Sequence, residues 1–143
     1  MARINYERDY YQWTQEMVKA LRERDYSNID WDNLIEEVED MGKSQKRAIE
    51  SLLMRLTEHL LKLKYWEGER ERNGKHWRSE VVNFRLLLHK RLKESPSLKV
   101  KIAEIYAEIF PGCKRSVEQL FELPKQASLD LEQVLDENWF PHE

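Results

Sequence analysis

Eight residues that break or bend helices punctuate this chain of 143, and their placement limits what it can fold into. Gly42, Gly68, Gly74 and Gly112, with Pro96, Pro111, Pro124 and Pro141, are all the glycine and proline present. Between them, apolar residues recur at spacings of three and four, the period that puts one face of a helix against a core. The pattern predicts an all-α fold, an antiparallel helical bundle of four to five main helices plus a short C-terminal helix, in a single domain over residues 1–143. Charged residues make up 36% of the chain and apolar ones 41%, the balance of long amphipathic helices that each show a wide face to water.

Individual boundaries follow from capping chemistry. Asp9 with Gln12 three residues on fits a capping box, so a first helix starts there with the stripe Tyr10, Trp13, Met17 and Leu21 and frays by Asp25. Residues 25–29 form a turn, and Asp30 caps a second helix striped by Leu34, Ile35, Val38 and Met41. Gly42 and Ser44 could divide that helix, yet the phase continues through Gln45, Ala48, Leu52, Leu56, Leu60 and Leu63, so one helix and two both agree with residues 31–65. Residues 67–75 contain no apolar side chain and two glycines, which predicts a loop. A third helix then carries Trp77, Val81, Phe84, Leu88 and Leu92, and Ser95 caps a fourth with Pro96 in its first position. The fourth stripe runs Leu98, Ile102, Ile105, Ile109, Cys113, Val117 and Leu120, so Pro111 and Gly112 either kink or split it. Ser128 caps a short last helix from Leu129 to about Asp136. Trp139 and Phe140 then dock on the bundle, because two large aromatics left in water would each forfeit roughly 2–3 kcal/mol.

Residues 1–8 have no apolar core of a signal peptide, and no run approaches the ~20 apolar residues of a membrane span. The expectation is a cytoplasmic protein that uses no membrane. Cys113 is the one cysteine, which excludes an internal disulfide and a thiolate zinc site, and reads as a small buried side chain. The net charge of −3 is unevenly spread. Asp30, Asp32, Glu36, Glu37, Glu39 and Asp40 crowd residues 30–40 without a cation, whereas residues 62–93 hold an excess of six positive charges. Such blocks either mark partner surfaces or pair helix against helix; pairing of Arg78 and Arg85 with Glu36, Glu37 and Asp40 is the simpler expectation.

Five fragments occur in a familiar order: Tyr6-Glu7-Arg8-Asp9-Tyr10-Tyr11-Gln12-Trp13, Ile29-Asp30-Trp31-Asp32-Asn33-Leu34-Ile35-Glu36-Glu37-Val38-Glu39, His76-Trp77-Arg78, Ser95-Pro96-Ser97-Leu98 and Leu131-Glu132-Gln133-Val134-Leu135-Asp136. Together they resemble the bacterial family known as domain of unknown function twenty-nine, over almost the whole chain. The resemblance implies a helical fold and carries no activity, substrate or site residue with it.

Three patterns come near to chemistry. Asn28, Asp30, Asp32 and Glu39 occupy ligand positions of an EF-hand loop, but Asn stands at the first position and Asn33 where the turn needs glycine. A capped helix with an acidic face explains the same residues without an ion. Arg55 to His59, Arg72 to His76 and Arg85 to His89 repeat Arg-x-x-x-His, a spacing shorter than helical ribonucleases use and one that simply sets two basic groups on one helix face. Arg70, Arg72, Lys75 and Arg78, interleaved with Trp66 and Trp77, combine charges and flat rings that single-stranded RNA would use, and are the candidate nucleic-acid or partner-binding residues. No catalytic residue, metal ligand set or cofactor site emerges. The reading with fewest demands is a non-enzymatic helical module acting through protein contact, as a homodimer or with another partner; the alternative is an RNA-binding protein or helical ribonuclease acting through residues 62–93.

Overall fold

A computed structural model describes residues 6–142 of the chain. Residues 1–5, part of the stretch read above for a leader signal, lie outside the described residues. The described residues form an antiparallel helical bundle, with α1 at Tyr10–Glu23, α2 at Trp31–Tyr65, α3 at Glu67–Glu94, α4 at Pro96–Val100, α5 at Ile102–Glu118 and α6 at Leu131–Leu135, and no strand among them. The chain divides into two compact units, residues 1–44 and 45–143.

The first unit is a helical hairpin. Asp9 caps α1 as its sequence predicts, its carboxylate accepting the Gln12 amide at 3.0 Å. Arg24 ends the helix in the left-handed region at φ 59°, and a single 3-10 turn over Tyr26–Asn28 reverses the chain into α2. The hydrophobic centre is small: Trp13, Met17, Ala20 and Ile29, with Tyr6 and Leu34 packed against them.

Helix α2 runs unbroken through Gly42, which settles the one-or-two question for residues 31–65. Glycine inside a helix costs only about 1 kcal/mol relative to alanine, too little to stop a helix whose stripe stays in phase. In the second unit Ile49, Leu53, Leu56 and Leu60 of α2 are fully buried and pack with Trp77, Val81, Phe84, Leu88 and Leu92 of α3. The two helices run antiparallel. Gln45 exchanges hydrogen bonds with Arg91 and Ser95 at one end, while the Lys62 ammonium lies over the Trp77 ring at the other.

The loop expected over residues 67–75 is instead the start of α3, and Trp66 alone separates α2 from α3. Two things make the segment helical in spite of its glycines. Glutamate and arginine are good helix formers, and Glu67 and Glu69 sit at the positive end of the helix dipole. Glu69 also pairs forward with Arg72 at 3.8 Å and accepts from Asn73 at 2.7 Å, while Trp66 stacks on Phe121 and Trp77.

Ser95 does not cap α4 through its side chain, which accepts from Gln45 instead, though Pro96 does hold the first helical position. The helix that follows breaks at Lys101, not at Pro111, which α5 passes through. Proline there removes the amide that would bond to the Ala107 carbonyl, but both residues are exposed, so water can take that carbonyl. The last helix begins at Leu131 behind Asp130, two residues later than the Ser128 cap predicts. Ser128 is held elsewhere: its amide donates to the Tyr65 hydroxyl and its carbonyl accepts from Lys64 at 3.0 Å. Trp139 and Phe140 are half-buried against the core of the unit, as expected for terminal aromatics.

Candidate functional site

Arg85 is 1% exposed and spends its fork on main-chain oxygens: Nε to Val134 at 2.9 Å, one terminal nitrogen to Trp139 at 2.7 Å, the other to Gln133 at 3.0 Å. The His89 ring bonds the Leu135 carbonyl at 2.8 Å. Gln133, Val134 and Leu135 close α6, whose last carbonyls a helix leaves without internal partners and with negative potential, and Trp139 follows four residues after its end. The arrangement corrects the expected pairing of Arg85 with Glu36 and Glu37. A short helix carries too few internal bonds to fix its own end, and a buried cation supplies what is missing. Burial lowers the Arg85 pKa, and nearby Asp136 and Glu137 oppose that effect.

Glu37 is likewise occupied. Tyr6 and Tyr10 both donate their hydroxyls to it, the latter at 2.7 Å, and these bonds hold its carboxyl below the usual carboxylate range. The two tyrosines crowd Trp13, whose indole N–H reaches Asp30 at 3.1 Å. Asp30 also accepts from Asn33 at 2.8 Å, and Trp31 onward is helical, so residues 28–39 do not form the wrapped loop of an EF-hand. No group of three or more metal-ligating side chains occurs among the described residues.

The four candidate binding residues lie on α3 and do not converge. Arg70 is half-buried and turned back on α2, donating to the carbonyls of Leu63 at 2.8 Å and Lys64 at 3.1 Å, where it caps the last turn of that helix. Arg72 is 80% exposed with only its own neighbour Glu69 in reach. Lys75 is exposed, and the Arg78 guanidinium lies 4.0 Å from the centre of the Phe140 ring. Of the Arg-x-x-x-His repeats, His59 bonds the Arg55 carbonyl, and burial lowers its pKa. The rings that would stack on bases, Trp66 and Trp77, stack on each other at 5.7 Å. Cys113 is fully buried, and burial pushes its thiol up to about 12, which removes thiolate reactivity.

What stands out is uncovered apolar surface on the hairpin. Trp31, Ile35, Val38 and Met41 of α2 are 49–64% exposed. The spacing of Ile35, Val38 and Met41 predicts a core stripe, but spacing cannot tell a face covered by the same chain from one left open. At about 100° per residue, Trp31, Ile35, Val38 and Gly42 fall within roughly 60° of each other. Glu37 points away from the row, toward Tyr10, and Leu34 borders the row on the side of the small core of the hairpin. A second exposed apolar group, Val82, Leu86 and Leu87, lies on α3 beside Lys90 and Lys93. A shallow hollow of ≈ 380 Å³ on α5 is lined by Phe110, Pro111, Lys114, Arg115 and Glu118, all from one helix, so no second wall encloses it.

The family described as Domain of unknown function DUF29 matches residues 5–140. The chain belongs to the DUF29 family. No curated protein and no solved structure matches it. DUF29 membership agrees with the resemblance carried by the five fragments and assigns no chemistry to the hairpin face. Three of the fragments also turn out to build the contacts described above: Tyr6, Tyr10 and Trp13 in the first, Asp30 and Glu37 in the second, and Gln133, Val134 and Leu135 in the last. No described helix of this DUF29 chain is long and apolar enough to cross a membrane.

Proposed function

We propose that this chain is a non-enzymatic helical module of the cytoplasm that acts by protein–protein contact through the exposed face of α2 in the hairpin. The observation that supports this most is the row Trp31, Ile35 and Val38, all about half exposed, on one side of a well-formed helix. A helix in water normally turns such a row inward, and a contiguous apolar patch of this kind is characteristic of an interaction site. Helix faces of this type bind partners through anchors spaced i, i+4 and i+7.

The competing reading, RNA binding or cleavage through residues 62–93, has weaker support. Arg70 is committed to carbonyls, Arg78 lies over the Phe140 ring, and Trp66 and Trp77 are stacked on each other. That leaves Arg72 and Lys75 as the exposed cations among the four candidates, with no exposed tryptophan, tyrosine or phenylalanine beside them. A photo-crosslinking residue placed at Val38 in living cells tests the contact reading, with exposed Ser51 as the control position. Protein adducts at position 38 and not at 51 are the expected result. Position 38 giving no more than 51 would remove the reading.

A further inference from the structure

We infer that α2 carries a hinge around Gly42, over residues 38–44, where the helix opens reversibly while both compact units stay folded. The hinge is independent of the contact reading above and of whatever covers the hairpin face.

Packing lapses along this length of α2. Residues 38–44 are exposed without exception, seven positions in a row, whereas no other exposed run within a described helix exceeds three. At about 100° per residue, seven positions go round the axis nearly twice, so the segment has no buried or half-buried side chain on any side. Anchoring resumes at both ends. Leu34 packs against the hairpin centre and Glu37 accepts from Tyr10, while Gln45 bonds Arg91 and Ser95. Helices in proteins owe most of their stability to a packed face, and two turns in water have only their own hydrogen bonds to hold them.

The composition of the segment weakens even those bonds. Val38, Asp40, Gly42 and Ser44 are poor helix formers, and glycine in place of alanine lowers the weight of a helical residue by about five-fold. Opposite charges at Glu39 and Lys43, four positions apart, return about two-fold at best. Packing does not call for the glycine, since a Cβ added at position 42 would meet nothing within 4 Å. Opening uncovers no core, because the buried rows of α2 begin at Ile49. The open form therefore costs the helix alone and lies well below global unfolding. Such a joint lets the hairpin change direction without loss of either hydrophobic centre.

Hydrogen exchange read by mass spectrometry on the purified full chain measures the opening. Amides of residues 41–46 should exchange about 100-fold or more faster than those of residues 53–60, and ahead of those of α1. The variant Gly42→Ala/Ser44→Ala changes only exposed positions and restores helix propensity. It should slow both that exchange and trypsin cleavage after Lys43 by about ten-fold. Arg85→Ala, which loosens the larger unit, should leave both rates within about two-fold of the parent chain. Equal protection along α2, or no response to the alanine pair, would show a helix firm through Gly42 and overturn the hinge. Exchange of residues 41–46 in step with α1, or its acceleration by Arg85→Ala together with the core amides, would overturn it as well, since the segment would then open only with a whole unit.

Discussion

Arg85 shows how much a single side chain can be asked to hold. Its three nitrogens serve carbonyls at Gln133, Val134 and Trp139, and its guanidinium also lies 5.1 Å from the centre of the Phe140 ring. Replacing it with alanine leaves buried carbonyls without donors and opens a cavity, and should cost about 3 kcal/mol or more in urea unfolding. Lysine should rescue little of this, because one ammonium cannot span three acceptors set around a planar fork. His59 makes a second prediction, this time of sign. Burial lowers its pKa below the ordinary 6.5. As pH falls below about 6.5 the unfolded chain takes up a proton that the folded chain still refuses, so stability should drop until the folded ring protonates as well. Unfolding free energy followed from pH 8 to pH 5 should therefore decline, and His59→Gln should flatten that decline. A profile for the parent chain that rises or stays level over this range would contradict the assignment.

At the scale of elements, the beginning of α3 separates local composition from tertiary context. Gly74 is buried in that helix, and an added Cβ would meet only the Arg70 stem at 3.6 Å, an ordinary contact. Gly74→Ala should raise stability by about 0.5–1 kcal/mol, the difference in helix propensity, in chemical denaturation. In a loop the same substitution would bring no such gain. This is where sequence reasoning was least able to see. The apolar period of α1, α2 and α5 was legible because each places its stripe against a core, and the Asp9 cap because its chemistry is local. Residues 67–75 carry no stripe; what keeps them helical is the stacking of Trp66 on Phe121, some 55 positions away, and charge pairs along the helix. The Ser128 cap failed for a related reason, since the Ser128 carbonyl, which would accept the first bond of a helix starting at Leu129, is taken by Lys64 and Tyr65. The exposed α2 row was visible as a pattern and not as a surface, and the destination of Arg85 was invisible because main-chain carbonyls leave no trace in side-chain composition.

For the whole molecule, the two units differ in how much apolar material holds them. The hairpin centres on Trp13, Met17, Ala20 and Ile29, whereas the larger unit buries rows from α2, α3 and α5 together with Leu123, Ala127, Leu129 and Val134. Local opening follows contact density, so α1 amides should exchange with deuterium faster than those of α3 around Val81 to Leu88. Equal protection in both would show that the hairpin has stability of its own beyond that small centre. The Tyr6 and Tyr10 bonds to Glu37 add a dependence on acidity: with its carboxyl held below 4.5, the support they give is complete above that value and is lost as pH falls through the folded pKa. The single residue between α2 and α3 has a different consequence. Trypsin would find Arg70, Arg72 and Lys75 by composition, but a protease must draw out an extended run of backbone to cut, and with Trp66 as the whole connection there is no slack to give. The most cleavable-looking stretch of the chain is in this way closed to digestion unless the helix itself comes undone.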